Sequence, residues 1–277
     1  MSGFLARQER FAVVGSTNDV VRGWLADGTP EVCLALADEQ TAGRGRDGRT
    51  WVAPAGGALL LSLGFRPAWL APERVWRLAA AVSLAMADAA EAASGLLAGS
   101  IRLKWPNDLV IQSSGGIRKL AGVLGETDGL GGPDPRAVIG LGLNTDWRAA
   151  AFPPDLAASM TSLHETGEGR PVDPAALLRA FLEGLERRTA ELRAGGFDDD
   201  GWAARQLTTG REVDLVGPDG AVTMVRALGV DAATGGLVVE DRGAPSGRRQ
   251  VVVGEIRHVR LRAAAPAPAA TETRAGV

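Results

Sequence analysis

The stretch TAGRGRDGRTW, residues 41–51, sets Gly43, Gly45 and Gly48 at the spacing G-x-G-x-x-G and crowds Arg44, Arg46 and Arg49 among them. That spacing specifies a fold only in context. A dinucleotide-binding turn follows a strand and runs straight into a helix, whose N-terminus then faces a pyrophosphate. Upstream, EVCLALADEQ (31–40) reads as a buried strand. Downstream, RTWVAPAGGALLLSLGF (49–65) carries Pro54 and a glycine pair and then becomes a second strand. A strand–loop–strand unit excludes the nicotinamide-type fold, and the P-loop pattern is absent as well. Two readings remain. One is a solvated polar turn. The other is an anion clamp, in which glycines let backbone approach phosphate oxygens and arginine forks donate to them. Such a clamp is expected to be mobile when empty and to order over an anionic ligand. The flanking apolar strands and Trp51 directly after the loop favour the clamp.

Composition narrows the classes. A chain of 277 residues suggests two domains. The net charge of −3 speaks against a protein dominated by nucleic-acid or acidic-membrane binding. The single cysteine, Cys33, lies in an apolar run and reads as a buried small residue. His164 and His258 are far apart with no Cys or His cluster, so no transition-metal site is expected. No secretory leader and no membrane-spanning run is evident, so the expected location is the cytoplasm, with no membrane partner. Of 30 basic residues only Lys104 and Lys119 are lysines. A chain that uses arginine elsewhere keeps lysine where a compact, rotatable ammonium serves better.

Working outward, STNDVVRGWLADG (16–28) reads as a helix capped by Ser16, with Asp19 in its first turn and Gly28 as its stop. Residues 72–95 begin with Pro, end with Gly and carry apolar residues at helical spacing. IRLKW (101–105) and LVIQ (109–112) are short strands around Pro106, SSGG (113–116) a hairpin turn and LAGVLGET (120–127) the returning strand. Pro106 forces an extended or turning path after Trp105, which places Lys104, Asn107 and Asp108 at a strand end and Lys119 on the returning arm. A lysine facing Asp108 is either a structural ion pair or one part of a site where the other lysine meets phosphate; composition leaves both open. AVIGLGLNT (137–145) is a strand whose glycines leave room for something to approach the backbone. Helices are expected over 173–193 and near DDDGWAARQL (198–207). Beyond residue 206 short β-like runs alternate with turns such as GPDG (217–220) and DAATGG (231–236), as in a small barrel or sandwich. The expected architecture is therefore α+β, a mixed sheet with flanking helices over 1–205, a small β module over 206–263 and a disordered tail over 264–277.

Five segments taken together resemble the biotin protein ligases: STN (16–18), ADEQTAGRGRDGRTW (37–51), KWPNDL (104–109), RKLAGVLGE (118–126) and VIGLGLNT (138–145). They occur in that family's order and at its approximate spacing. The resemblance implies the class II synthetase-like catalytic fold of that family, followed by an SH3-like barrel. It implies activation of biotin by Mg2+-ATP to biotinyl-5′-AMP. The biotinyl group then passes to a lysine of a biotin carboxyl carrier domain, of an acyl-CoA or pyruvate carboxylase. The two-function members carry a winged-helix DNA-binding domain ahead of STN; here fifteen residues precede Ser16, so no nucleic-acid partner is expected. Monomer and homodimer are both compatible with the family.

Carried over by motif position, Ser16, Thr17, Asn18 and Gln40 are expected to hold the biotin head, with Arg44, Gly45, Arg46 and Lys119 around the rest of the ligand. Lys119 is expected to bridge the biotin carboxylate and the α-phosphate, Arg46 to close over the adenylate, and Asp108 to orient or deprotonate the acceptor lysine. Arg44, Arg46, Arg49, Trp51, Lys119 and Asn144 are expected at the nucleotide, with Lys104, Asn107 and Gly122 in support. Magnesium is expected to arrive with ATP, with no protein ligands assigned. A lipoate ligase shares the adenylate logic, but the apolar dithiolane of lipoate would leave the polar STN and Gln40 set without partners. A nucleic-acid-binding module, using the locally basic segment GRRQVVVGEIRHVRLR (247–262), is the alternative from another class.

Overall fold

In a computed structural model of the chain, residues 3–113, 116–216, 221–241, 243–252 and 259–261 are described. The first part builds β1 (Arg7–Val14), α1 (Thr17–Ala26), β2 (Cys33–Gln40), β3 (Ala58–Phe65) and α2 (Trp76–Ser94). It continues with β4 (Ile101–Lys104), β5 (Asp108–Ser113), β6 (Gly116–Asp128), β7 (Arg136–Asn144), α3 (Leu163–Thr166), α4 (Pro174–Arg193) and α5 (Asp199–Ala204). Its strands form one seven-stranded sheet in the order β1-β2-β3-β7-β6-β5-β4. Only β1 and β2 run parallel; every other neighbouring pair is antiparallel, so the sheet is mixed as expected.

Strand periodicity sorts the side chains onto two faces. From β2, Leu34 and Leu36 join Leu61, Leu63, Ile139 and Leu141 in the main core against α2. Cys33 and Ala35 point the other way and pack with Val21 and Leu25 of α1. A strand covered on both sides has no reason to alternate polar with apolar, which is why VCLALA (32–37) is an unbroken apolar run. Cys33 is wholly buried, as expected. A Cβ at Gly64 would come within 2.6 Å of its sulfur, so glycine there lets α1 lie close to the sheet. α2 is buried almost all round, between the sheet and α4; its alanines keep the helices near one another.

The second part is a five-stranded antiparallel sheet of β8 (Glu212–Val216), β9 (Val222–Val230), β10 (Leu237–Glu240), β11 (Arg248–Val251) and β12 (Val259–Leu261). Its order is β11-β10-β9-β8-β12, and among the described residues no pairing joins its two edges. The expected closed SH3-like barrel is thus an open sheet over these residues. Its core is shared: Trp105, from the segment after β4, packs with Val213, Leu215, Ala227, Leu237, Val239 and Val251.

Two elements were not expected. β1 reads as RQERFAVV, with its first four residues polar and three of them charged, because it is an edge strand and largely exposed. α3 is a single turn. The helix expected from residue 72 begins as a 3-10 turn over Pro72–Arg74 before α2. The SSGG and GPDG turns fall in part or whole outside the described residues, as do His258 and the tail over 264–277.

Candidate active site

Alternate residues on the α1 face of the sheet carry the candidate groups. Register aligns Ser62 with Gly140, Gly122 with Gly142 and with Asp108, and Asp108 with Lys104. One cavity of about 380 Å³ runs over this face. Its lining includes every residue expected at the site: Ser16, Thr17, Asn18 and Gln40 at one end, Lys104, Asn107, Asp108, Lys119 and Gly122 at the other, and Arg44, Gly45, Arg46, Arg49, Trp51 and Asn144 between and above.

At the STN end the expected helix cap is not made. Ser16 occupies the N-cap position with extended backbone, but its side chain accepts no bond from the first turn. The Thr17 amide is instead satisfied from across the sheet, donating to Gln40 Oε1 at 2.8 Å, and the Thr17 hydroxyl lies 3.0 Å from the same oxygen. Ser62, wholly buried on β3, holds the other side through Thr17 Oγ1 at 2.7 Å and Asn18 Oδ1 at 2.6 Å. Asn18 Nδ2 donates to Glu126 at 2.7 Å.

The glycines of β7 do make room, but for the protein's own side chains. A Cβ at Gly140 would run into the Asn18 amide, and one at Gly142 would lie 2.5 Å from the Trp51 indole. A Cβ at Gly122 would come within 3.1 Å of the Lys119 ammonium and 3.2 Å of the Trp51 ring. Trp51 is therefore a wall laid on bare backbone. The Lys119 ammonium is 5.3 Å from its ring centre, within cation–π range.

The Arg-Gly loop is folded back on itself. Trp51 N donates to Gly43 O at 2.9 Å and Gly45 N to Arg49 O at 2.6 Å, around a 3-10 turn over Arg46–Gly48. Arg44 grips Asp19 with both guanidinium nitrogens at 2.7 Å. That bond, with Arg22 beside it, holds the Asp19 carboxyl below its ordinary range. Arg46 and Arg49 line the cavity.

At the other end Asp108 receives both lysines of the chain, Lys119 at 2.7 Å and Lys104 at 3.5 Å. Burial pushes the Asp108 pKa up, but the two ammonium groups outweigh it and hold the carboxyl below its usual range. Asn107 clasps Val123 of β6 from both sides, Nδ2 to Val123 O and Val123 N to Asn107 O, each 2.9 Å. Lys119 is fixed by its backbone to the segment after β7, through Ser159 O at 2.7 Å and Thr161 N at 2.8 Å. Two polar atoms of the lining are buried with no protein partner: Trp51 Nε1, a donor, and Asn144 Oδ1, an acceptor. The Asn144 amide is turned by its other bond, Nδ2 to Thr161 O at 2.9 Å. Among the described residues no group of three or more His, Cys, Asp or Glu could hold a metal ion.

Sequence reasoning missed Ser62, Glu126 and the segment Leu156–Met160. Ser62 stands inside an apolar strand, where a lone hydroxyl is the only signal. Leu156, Ser159 and Met160 line the cavity but belong to no recognisable pattern.

The family model for biotin/lipoate A/B protein ligases matches residues 11–144. The biotin–[acetyl-CoA-carboxylase] ligase of Mycobacterium tuberculosis is 34% identical over 253 residues, covering 90% of this chain and 88% of that protein. The bifunctional ligase/repressor BirA of Bacillus spizizenii is 30% identical over 185 residues, covering 67% of this chain, and the match spans 54% of that protein's length. The biotin protein ligase from Aquifex aeolicus, solved in complex with biotin and ATP, superposes with a TM-score of 0.74 at 25% identity over 93% of this chain and 99% of that one. With its motifs converging on one cavity and 34% identity to a biotin ligase over 90% of its residues, the chain belongs to the biotin/lipoate A/B protein ligase family.

Proposed function

We propose that this protein activates biotin with ATP to biotinyl-5′-AMP and transfers the biotinyl group to a lysine of a biotin carboxyl carrier domain. The observation that carries this reading is the shared cavity: the Thr17–Asn18–Gln40 polar set and the Lys119–Asp108 pair face the same space. A similar ligase is named for acetyl-CoA carboxylase, and a similar fold has been solved with biotin and ATP.

In the first step a biotin carboxylate oxygen attacks the α-phosphorus; the C–O–P bond forms, the Pα–O–Pβ bond breaks and pyrophosphate leaves. Two anions must meet, so fixed positive charge is the main requirement. Lys119 supplies it, held against Asp108 and over Trp51. Arg46 and Arg49 cover the adenylate, with Arg44 as the anchored end of the loop. Trp51 Nε1 and Asn144 Oδ1 offer an unpaired donor and acceptor for the nucleotide. Mg2+ enters with the triphosphate. In the second step the acceptor amine attacks the acyl carbon, the C–N bond forms and AMP leaves with the C–O electron pair. Asp108 positions the lysines in this scheme. Its carboxylate also lines the cavity, where it orients the acceptor amine and takes the proton the nitrogen gives up as the amide forms. Lys104, Asn107 and Gly122 hold that corner in shape.

The direct test is incubation with biotin, Mg-ATP and a carrier domain, read by intact mass of the carrier. The expected product is one added biotinyl group; no mass change, with no pyrophosphate released, sinks the reading. Lipoate in place of biotin is expected to give no product. Lys119→Ala is expected to slow pyrophosphate release by at least about a hundredfold, the scale of losing one transition-state charge contact, while biotin affinity changes far less. Arg46→Ala is expected to leak adenylate into solution, seen as AMP formation without carrier modification.

A further inference from the structure

The bonds beneath Asn18 decide which way its amide faces. A carboxylate has only acceptors to offer, so the Asn18 atom 2.7 Å from Glu126 Oε2 is the nitrogen. The Asn18 oxygen is then turned to Ser62, whose hydroxyl donates to it at 2.6 Å. Gln40 is set by the same logic. The Thr17 main-chain N–H is a donor only, so the Gln40 atom 2.8 Å from it is the oxygen. Each amide therefore has its oxygen spent inside the protein; the Asn18 nitrogen gives one hydrogen to Glu126 and keeps its second, and the Gln40 nitrogen carries two, for the cavity that both residues line. Glu126 is itself pinned by Arg22 at 2.7 Å and faced by Arg44 at 3.6 Å, and both arginines also bond Asp19.

We infer that Glu126, acting through Asn18, whose oxygen Ser62 holds from the other side, is a specificity-determining residue: it sets the Asn18 amide as a hydrogen-bond donor toward the head pocket. A pocket so wired takes a cyclic head that presents a neutral carbonyl acceptor, a urea, and rejects the same ring with a cationic N–H donor in the carbonyl's place. Rejection follows because two donors would face each other in a buried space. The inference rests on the biotin reading and deepens it.

The test compares Kd values of biotin and 2-iminobiotin, its cyclic guanidinium analogue, by isothermal titration at neutral pH. Wild type is expected to prefer biotin by about a hundredfold or more. Glu126→Ala frees the Asn18 amide to turn, and the preference is expected to fall tenfold or more, mainly through weaker biotin binding. Glu126→Gln still offers an oxygen to Asn18 and is expected to restore the preference to within about threefold of wild type, an effect that lost packing alone would not give. Should the alanine variant fail to fold, Glu126→Leu, which fills the volume but offers no acceptor, carries the same expectation. Folded Ala or Leu variants that keep the wild-type preference overturn the inference, as does a glutamine variant no better than alanine. Wild type that binds biotin no better than lipoate instead overturns the biotin reading itself.

Discussion

At Gly142 a hydrogen in place of a methyl group decides where the wall of the cavity stands. The Trp51 indole lies against the bare backbone, so a Cβ there would meet it at 2.5 Å. The clash is with a rigid ring rather than the end of a flexible chain, and the ring is also the surface over which Lys119 sits. Gly142→Ala is expected to cost about 1–3 kcal/mol, the usual range for overpacking, and to displace Trp51. Thermal unfolding checks the first, and a shift in tryptophan emission with slower pyrophosphate release checks the second. Unchanged stability and rate would show that Trp51 is not held by this contact. Asp108 acts at the same scale. Its two ammonium partners keep it charged, and it keeps them together.

Between elements, one buried acid joins three of them. Glu91 of α2 is 3% exposed, yet all its needs are met. Arg205, just after α5, donates to both of its oxygens at 2.8 and 2.9 Å, and the amide of Ile101, at the start of β4, donates at 2.7 Å. Burial pushes the Glu91 pKa up; Arg205 and the amide outweigh it, and the carboxyl is held below its ordinary value. A depressed pKa in the folded state means that the stabilisation is present above the unfolded value, about 4.3. It is lost as pH falls through the folded value. Glu91→Gln is expected to destabilise by roughly 2–4 kcal/mol at pH 7, because Arg205 keeps only Asp88 as a charged partner. The difference from wild type is expected to shrink as pH falls below the unfolded value, because the unfolded chain takes up a proton that the folded carboxyl still refuses. Denaturant melts at pH 7 and pH 3.5 would show it; a pH-independent difference would contradict the assigned charge.

For the whole molecule, the connection that matters is Trp105. It is the residue after Lys104, its ring fills the core of the C-terminal sheet, and its Nε1 donates to Gly235 O at 2.8 Å. Arg77 of α2 donates to Ala232 O in the same turn at 2.9 Å. Gly235 has φ 74° and its missing Cβ would lie 2.6 Å from the Trp76 ring. The C-terminal sheet thus grips the KWPND segment itself, which makes its attachment a condition for the geometry around Asp108. Gly235→Ala combines a strained φ with a ring clash and is expected to cost about 2 kcal/mol, a fall in Tm of roughly 4–8 °C. Slower adenylate formation with near-normal biotin affinity is expected alongside. If biotin affinity fell as steeply as the rate, the coupling would not run through Trp105. Among the described residues no helix is long and apolar enough to cross a membrane.

The sequence alone determined the strand–loop–strand setting of the Arg-Gly loop and the long helices, brought Lys104, Asp108 and Lys119 into one hairpin, and, through the order of the family's motifs, named most of the polar residues that line the cavity. These are readable because turn chemistry, helical spacing and motif order are local properties of the chain. Only the tertiary structure decided that β1 is a strand, that Ser16 is not a side-chain cap, that the β7 glycines admit Trp51 and Asn18, and that Ser62 and Glu126 lie under the STN motif. Each of those depends on which residues the packing of α1, the loop and the strands brings together, and that packing joins positions as far apart as Asn18 and Glu126. A hydrogen bond between two such residues is set by the packing of whole strands, and no spacing along the chain encodes it.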